Sequence, residues 1–371
     1  MDRMYDIISG ADDLEPLFSI KQFPVFQGSV TTPPGQDLKA DLNFYISRGS
    51  GMVQLTPLLP LDVIYQSEHN PGTNGQIWLD HHKAFAEFVL QHNPTSVYEI
   101  GGSHGILSEN CYAQDPGIKW TIIEPVPVPV EGLHATVVNG FFDLDTVIPQ
   151  DVDMIVHSHV LEHMYNPGEF FERLSQLPIG TQMCFSVPSL YNHIEQKFTN
   201  ALSFEHTYFC INEYILYWLA QSGYLVKEIQ TFGDHSVFYS TMRAHAIPIP
   251  MPNRYEQNKK LFTEYIDYHK QNIDALNTRI KNAGVPVYLF GAHVFSQSLL
   301  AMGLQEEHIV AVLDNSPLKQ NRRLYGTGLR VYSPKLLAEV DDAIVILQAG
   351  QYTNEIRQEI VDNINTGVTF I

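Results

Sequence analysis

The apolar positions change period several times along the chain. Over residues 1 to about 75 no helical period is sustained. Short β-like runs such as "MVQLTPLLPL" stand among Pro- and Gly-rich stretches ("TTPPGQ", "NPGTNG"), which predicts an irregular lobe with little helix. From Gln76 to Asn93 the spacing of Ile77, Phe85, Phe88 and Val89 is helical. His81 and His82 are neighbours on that helix and project about 100° apart. They read as surface or site-rim residues rather than joint ligands.

The grammar then becomes strand, turn, helix, strand. "SVYEI", "KWTIIEP", "ATVVNGFF", "VDMIVHSH" and "TQMCFSVP" are short apolar strands, with "ILSENCYAQ" and "VLEHMYNPGEFFERLSQL" as intervening helices. "EYILYWLAQSGYLVKEIQTFGDHSVFYSTM" adds a helix and a closing hairpin. Strands that alternate with helices predict a doubly wound α/β domain over residues 76–247. Residues 254–283 form a long polar helix with a thin stripe at Leu261, Tyr265, Ile273, Leu276 and Ile280, within a connector spanning 248–283. The grammar repeats in "VPVYLFGAHVFSQSLLAMGL", "HIVAVLDNSP" and "AIVILQAGQYTNEIRQEI", a second and smaller α/β domain over 284–371.

Charge narrows the partners. Twenty-two Lys+Arg against 41 Asp+Glu give a formal net charge of −19, which argues against nucleic acid and anionic membrane surfaces. The three cysteines, Cys111, Cys184 and Cys210, have no paired spacing, so neither a disulfide framework nor a cysteine metal site is expected. No window approaches about 18 uninterrupted apolar residues, and "MDRMYDIISGADDLEP" lacks a signal-peptide core. The expectation is a soluble cytoplasmic protein, monomer or homodimer.

Chemistry concentrates at the strand ends. "SVYEIGGSHG" sets Glu99 before Gly101, Gly102 and Gly105, a turn that lets backbone N–H groups approach a ligand beyond the strand ends. Glu124 ends the next strand and suits a pair of ribose hydroxyls. The loop fits G-x-G-x-x-G poorly, so a dinucleotide is disfavoured against a nucleoside with a cationic centre. "IVHSHVLEHM" packs His157, His159 and His163 around Glu162, which raises the question of a metal.

Glu-x-Gly-x-x-x-Gly, then Glu124, "NGFFD" and "SHVLEHMYNPGEFF" together resemble the class I S-adenosylmethionine-dependent methyltransferases. That resemblance implies a Rossmann-like core that binds S-adenosylmethionine and releases S-adenosylhomocysteine. It implies cofactor contacts at Glu99, Gly101, Gly102, Gly105, Glu124, Pro125, Gly140, Phe141, Phe142, His157, Ser158 and His159. It answers the histidine run with a strand end facing the cofactor, His163 packed at the helix start, and no metal.

The order of parts, with "GMVQL", "FEHTYF" and "LDNSPLKQNRRLYGTGLRVYSPKLL", resembles more narrowly the sugar-nucleotide C-methyltransferases of deoxysugar pathways, over nearly the whole chain. Two departures stand out. Arg48 to Ser50 replace a cysteine pair of that family's zinc lobe, so the lobe is expected to hold by apolar packing. In Ser203-Phe204-Glu205-His206 the Glu-His pair is kept without the family's Tyr.

Methylation of carbon needs a base near neutral pKa, and His206 is the candidate. Glu205 orients it or binds a hydroxyl, and Tyr65 caps the site toward a developing enolate. The resemblance implies a nucleoside diphosphate docking at the C-terminal domain near His293, Asp314 and Lys319, with Arg322 and Arg323 completing a basic cluster. The expected function is C-methylation of a nucleotide-linked keto-deoxysugar. The alternatives are O- or N-methylation of another small metabolite, or binding of cofactor or sugar nucleotide without turnover.

Overall fold

The computed structural model describes residues 2–65 and 75–371. Residues 66–74, within the expected irregular lobe, lie outside the described residues. The lobe carries β1 (Leu14–Pro24), β2 (Ser29–Val30), β3 (Lys39–Ser47), β4 (Val53–Leu55) and a single-turn α1 (Leu61–Ile64). β1, β3 and β4 form an antiparallel sheet. Its apolar face buries Phe23, Leu42, Phe44, Ile46, Val53 and Leu55 in one cluster with Leu190, Phe204 and Phe209 of the next domain. Where the resemblance would place a cysteine pair, Ser47 Oγ accepts from the N–H groups of Gly49 (3.2 Å) and Ser50 (3.0 Å).

The central domain follows as α2 (Gln76–Leu90), β5 (Ser96–Ile100), α3 (Ile106–Tyr112), β6 (Lys119–Glu124), β7 (Thr136–Asn139), β8 (Met154–Ser158), α4 (Pro167–Ser175), β9 (Gln182–Pro188), α5 (Leu190–Glu195), α6 (Asn212–Gln221), β10 (Tyr224–Phe232) and β11 (Ser236–Arg243). The strands stand in the order β7-β6-β5-β8-β9-β11-β10. All neighbours are parallel except β11, which runs against both β9 and β10. Helices cover both faces, so β5 is buried throughout and reads as an apolar run without alternation. Strand order reverses at β5 and β8, and their carboxyl ends open the crevice in which such sheets bind ligands. α4 starts later than the expected helix over Val160 onward: Leu161–His163 is a separate 3₁₀ turn, and the helix begins at Pro167 with the Asn166 side chain accepting from the Glu169 N–H.

α7 (Tyr255–Lys281) is the predicted connector, and its stripe is wider than the pattern suggested. Phe262, Tyr265 and Ile266 pack into the lobe's core. Ile273, Leu276 and Ile280 pack into the core of the C-terminal domain. That domain contains β12 (Val287–Phe290), α8 (Val294–Ala301), β13 (Ala311–Leu313), β14 (Arg323–Leu324), β15 (Val331–Tyr332), β16 (Ala343–Ile346), α9 (Thr353–Asn363) and β17 (Val368–Phe370). Its parallel sheet has the order β15-β13-β12-β16-β17.

β14 leaves this sheet to pair antiparallel with β2 of the lobe. There the Arg323 guanidinium donates to both carboxylate oxygens of Asp37 (2.5 and 2.6 Å) and to the carbonyls of Thr32 (2.6 Å) and Pro33 (2.9 Å). Arg323 is therefore a buried joint between lobe and C-terminal domain, not a free phosphate ligand. Burial of its long stem needed a partner that sequence spacing does not reveal.

Removing one partner of a buried pair leaves an uncompensated charge. Asp37→Ala should lower the stability of the folded chain by about 3–5 kcal/mol in urea unfolding. Lys21→Ala, which breaks the exposed Lys21–Asp41 pair, should change it by less than about 1 kcal/mol.

Candidate functional site

Two groups of residues meet at the carboxyl ends of β5, β6 and β8. The first surrounds the glycine turn. Gly101 has φ 73°, and a Cβ there would stand 2.6 Å from Val160 Cγ2. At Gly102 a Cβ would lie 2.6 Å from Ile122 Cγ2 and 3.0 Å from the Glu99 carboxyl carbon. Neither position accepts a side chain without displacing its neighbours. Glu99 is buried and accepts from Trp120 Nε1 at 2.7 Å. Burial raises its pKa to about 7, against the Trp120 hydrogen bond. Glu124, half-buried at the end of β6, accepts from the N–H groups of Ser103 (3.0 Å) and Val126 (3.1 Å). This ties the turn after β5 to the loop after β6.

Pro125 and Gly140 lie beside that acid. Gly140 N–H donates to the Glu124 carbonyl (3.1 Å), and Asn139 donates to the Pro125 carbonyl (3.2 Å). Phe141 is exposed, whereas Phe142 packs on Phe170 with ring centroids 5.5 Å apart. Ser158 Oγ pairs with Ser186 Oγ at 2.7 Å.

Two expectations are corrected here. His157, expected to face the cofactor, alternates to the opposite side of β8 from Ser158. It is buried between Phe185 (4.7 Å) and Phe170 (5.4 Å), and burial lowers its pKa to about 3. His81, expected at the surface or rim, is fully buried.

The second group lies between the lobe and the central domain. Glu162 sits in the 3₁₀ turn Leu161–His163 after β8, buried, with both carboxylate oxygens lacking a hydrogen-bond partner. Burial first, then the charge of Glu205, raises its pKa to about 8. His163 Nε2 is 3.7 Å from Glu162 Oε1, and the His163 and His206 ring centroids are 5.4 Å apart.

His206 is half-buried, with Nδ1 3.5 Å from the Ala201 carbonyl. Burial lowers its pKa despite the neighbouring Glu205 carboxylate. Burial also drives the Tyr65 phenol well above its usual value, and the charges of Glu205, Glu162 and Glu124 add to the effect. Tyr65 thus lies within electrostatic reach of both groups. Sequence reasoning names Tyr65, Glu205 and His206, raises Glu162 only in the question of a metal, and treats His163 as packed at the helix start. An acid-His pair just past a strand end was the available signal.

The C-terminal candidates are arranged differently from expectation. Asp314 is buried and accepts from the Ala292 N–H (2.8 Å), the Ser316 N–H (2.9 Å) and Lys319 Nζ (3.3 Å). Asp314 and Lys319 therefore satisfy each other within their own loop. His293 caps α8 at the end of β12 and approaches the lobe at Gly28. The loop after β16 turns toward the central domain, where the Gln348 carbonyl accepts from Thr199 Oγ1 at 3.1 Å.

Residues 76–233 match the family described as methyltransferase domain, and residues 251–371 match the family described as C-methyltransferase C-terminal domain. No curated protein matches the chain. Among solved structures, the mitomycin 7-O-methyltransferase MmcR is similar at 18% identity and a TM-score of 0.39, over 46% of this chain and 55% of that one. Human N-acetylserotonin methyltransferase in complex with SAM is similar at 16% identity and a TM-score of 0.36, over 44% of this chain and 52% of that one. The plantazolicin methyltransferase BpumL is similar at 13% identity and a TM-score of 0.33, over 45% and 84% respectively. This chain spans about half the length of the first two. Among the described residues, no helix is long and apolar enough to cross a membrane.

Glu162 links this site to stability. Its folded pKa of about 8 lies above the ordinary carboxyl value. The stability it contributes is therefore complete below the ordinary carboxyl range and is lost as pH rises toward about 8. Glu162→Gln should flatten the fall in Tm between about pH 5 and pH 8. Equal slopes for both proteins would mean that Glu162 ionises like an exposed carboxyl.

Proposed function

We propose that this chain, a class I methyltransferase core joined to a C-methyltransferase C-terminal domain, methylates a carbon beside the carbonyl of a nucleotide-linked keto-deoxysugar. The observation that carries the proposal is the convergence of Tyr65, Glu162, His163, Glu205 and His206 at the carboxyl end of β8, beside the Glu99–Glu124 crevice. Glu205 and His206 are the Glu-His pair kept in the resemblance to sugar-nucleotide C-methyltransferases, and Tyr65 is the phenol expected to cap the site from the lobe. The C-methyltransferase description of residues 251–371 favours carbon over oxygen or nitrogen as the acceptor.

S-adenosylmethionine, when bound, supplies a methyl group already activated on a sulfonium. The residues to hold it are Glu99, the 101–105 turn and Glu124, with Glu124 toward the ribose. Gly101 and Gly102 keep that turn packed tightly on Val160, Ile122 and Glu99, where a Cβ would collide, and so bring its backbone N–H groups to the Glu99–Glu124 edge.

The protein's own work is to generate and aim the carbanion. His206, kept unprotonated at neutral pH by burial, takes the proton from the carbon beside the carbonyl. The electron pair moves into the enolate, whose oxygen meets the Tyr65 phenol, held protonated by its raised pKa. Glu162, protonated at neutral pH, offers a hydrogen-bond donor to a substrate oxygen. His163 holds its ring against His206 and orients it. With the cofactor bound, the carbanion would take up its methyl group, one C–C bond forming as one S–C bond breaks and S-adenosylhomocysteine leaving. Because Asp314 and Lys319 are mutually satisfied, the nucleotide handle is assigned to the end of the C-terminal sheet around His293 and the loop after β16.

Glu124→Ala should weaken S-adenosylhomocysteine binding by about 100-fold or more in calorimetry, the loss of a charge-assisted pair. His206→Asn should hold that affinity within a few-fold while reducing turnover by about 10²–10⁴. It should also abolish exchange of the substrate's acidic C–H with deuterated water. Retained exchange would remove His206 as the base. Transfer to a hydroxyl or amine without any exchange would overturn carbon methylation.

A further inference from the structure

The described residues contain a second convergence of imidazoles that the methyl-transfer reading does not use. His81 comes from the first turns of α2, His159 directly follows β8, and His235 lies in the β10–β11 turn. One nitrogen from each lies within 4.8 Å of the other two. His81 and His235 are buried, and His159 nearly so. We propose that His81, His159 and His235 form a binding site for one zinc-type divalent cation, with an open coordination position facing Glu162.

The hydrogen bonding separates the two ends of these rings. Ser236 Oγ contacts His159 Nε2 at 2.8 Å and His235 Nδ1 at 2.5 Å. One buried hydroxyl oxygen can accept from both N–H groups. When it does so, His159 Nδ1 and His235 Nε2 carry the lone pairs. Metal-bound histidines are oriented by such partners on the far nitrogen.

His81 is the independent indication. Both of its ring nitrogens are buried without any hydrogen-bond partner. A neutral imidazole always carries one donor and one acceptor, so this burial is unfavourable unless something fills the coordination role. On one side the ring meets Phe85 (6.0 Å), Phe232 (5.7 Å) and Phe238 (5.4 Å), and on the other it meets His159 and His235 (both 5.1 Å).

The site is walled and held in place. Trp78 packs against His81 (5.5 Å), His159 (4.9 Å) and His235 (4.6 Å). His159 adopts φ 53°, a left-handed backbone uncommon outside glycine, and its N–H donates to the Ser186 carbonyl at 3.0 Å.

Three imidazoles without thiolate or carboxylate suit zinc and its neighbours over calcium or magnesium. Three protein ligands leave a position for water or a substrate oxygen. Glu162 Oε1, 3.9 Å from His159 Nδ1, lies beside that position. The Glu162–His163–His206 group has comparable spacing, and the experiment distinguishes the two.

The full-length chain, purified without a histidine tag and dialysed against chelator, would be titrated with Co²⁺ and monitored by visible absorption. Saturation at one ion per chain, with the strong d–d bands of four- or five-coordination and bleaching by Zn²⁺, is expected. His81→Ala and His235→Gln should each abolish the bands. His206→Asn and His134→Gln should keep them. X-ray absorption at the zinc edge of the wild-type protein should show three imidazole nitrogens, a readout that needs no variant to fold. Absence of binding by the wild type would overturn the site, as would bands lost in His206→Asn but kept in His235→Gln. None of these readouts depends on methyl transfer.

Discussion

The backbone of Thr207 joins three parts of the molecule, and the candidate active site depends on that junction. Its carbonyl accepts from the Leu55 N–H of β4 (2.8 Å) and from the Arg3 guanidinium (2.6 Å), while its N–H donates to the Glu162 carbonyl (3.0 Å). Two residues on, the Phe209 N–H donates to the Val53 carbonyl at 2.9 Å. Arg3, itself buried, also donates to the carbonyls of Leu55 and Tyr165. A segment bonded on both sides has little freedom to slide. Glu205 and His206 are thus presented opposite Glu162 and His163 on a connecting segment that main-chain hydrogen bonds pin in place.

The same constraint explains the electrostatics. The chain carries a formal net charge of −19, yet the groups around the crevice are held largely neutral. Burial raises the carboxyls of Glu99 and Glu162 and lowers the imidazoles of His206, His159 and His81. An uncharged acid and an uncharged base, side by side at neutral pH, form the pairing that proton transfer at carbon uses. Such a pair persists only where folding excludes water and the framework cannot relax around a charge.

The domains are interdependent. The lobe shares one apolar cluster with Phe204 and Phe209 and with the first half of α7, whose second half belongs to the C-terminal core. β14 and Arg323 close the ring by returning to the lobe. Tyr352, just before α9, approaches Gly75 at the start of α2. Changes in any of the three regions can therefore be felt at the crevice between them.

The alternating strands and helices of the two α/β domains, the glycine turn, the acid ending β6 and the connector helix were legible in the sequence, whereas the long strands β1 and β3 of the lobe and helix α5 were not. They depend on local periodicity, backbone sterics and the length of apolar runs. The nature of the two domains was legible for the same reason, through spacing within single βα units. The partners of individual polar groups were not. Arg323 read as a phosphate ligand because its partner, Asp37, lies far away in the sequence. Asp314 and Lys319 read as ligands because their mutual pairing depends on how one loop folds back. His157 and Ser158 are adjacent letters on opposite faces of β8, and only the packed sheet shows which face meets the core. His81 and His82 were set aside as ill-matched to each other, correctly in angle. The partners available to His81 come from two other elements, a strand end and a hairpin turn, and tertiary packing alone brings those imidazoles together. The sequence by itself determined which elements form and where their reactive ends lie, because those follow from neighbours in the chain. Tertiary structure decided which polar groups are spent on the fold and which face the crevice, because burial and pairing are properties of space.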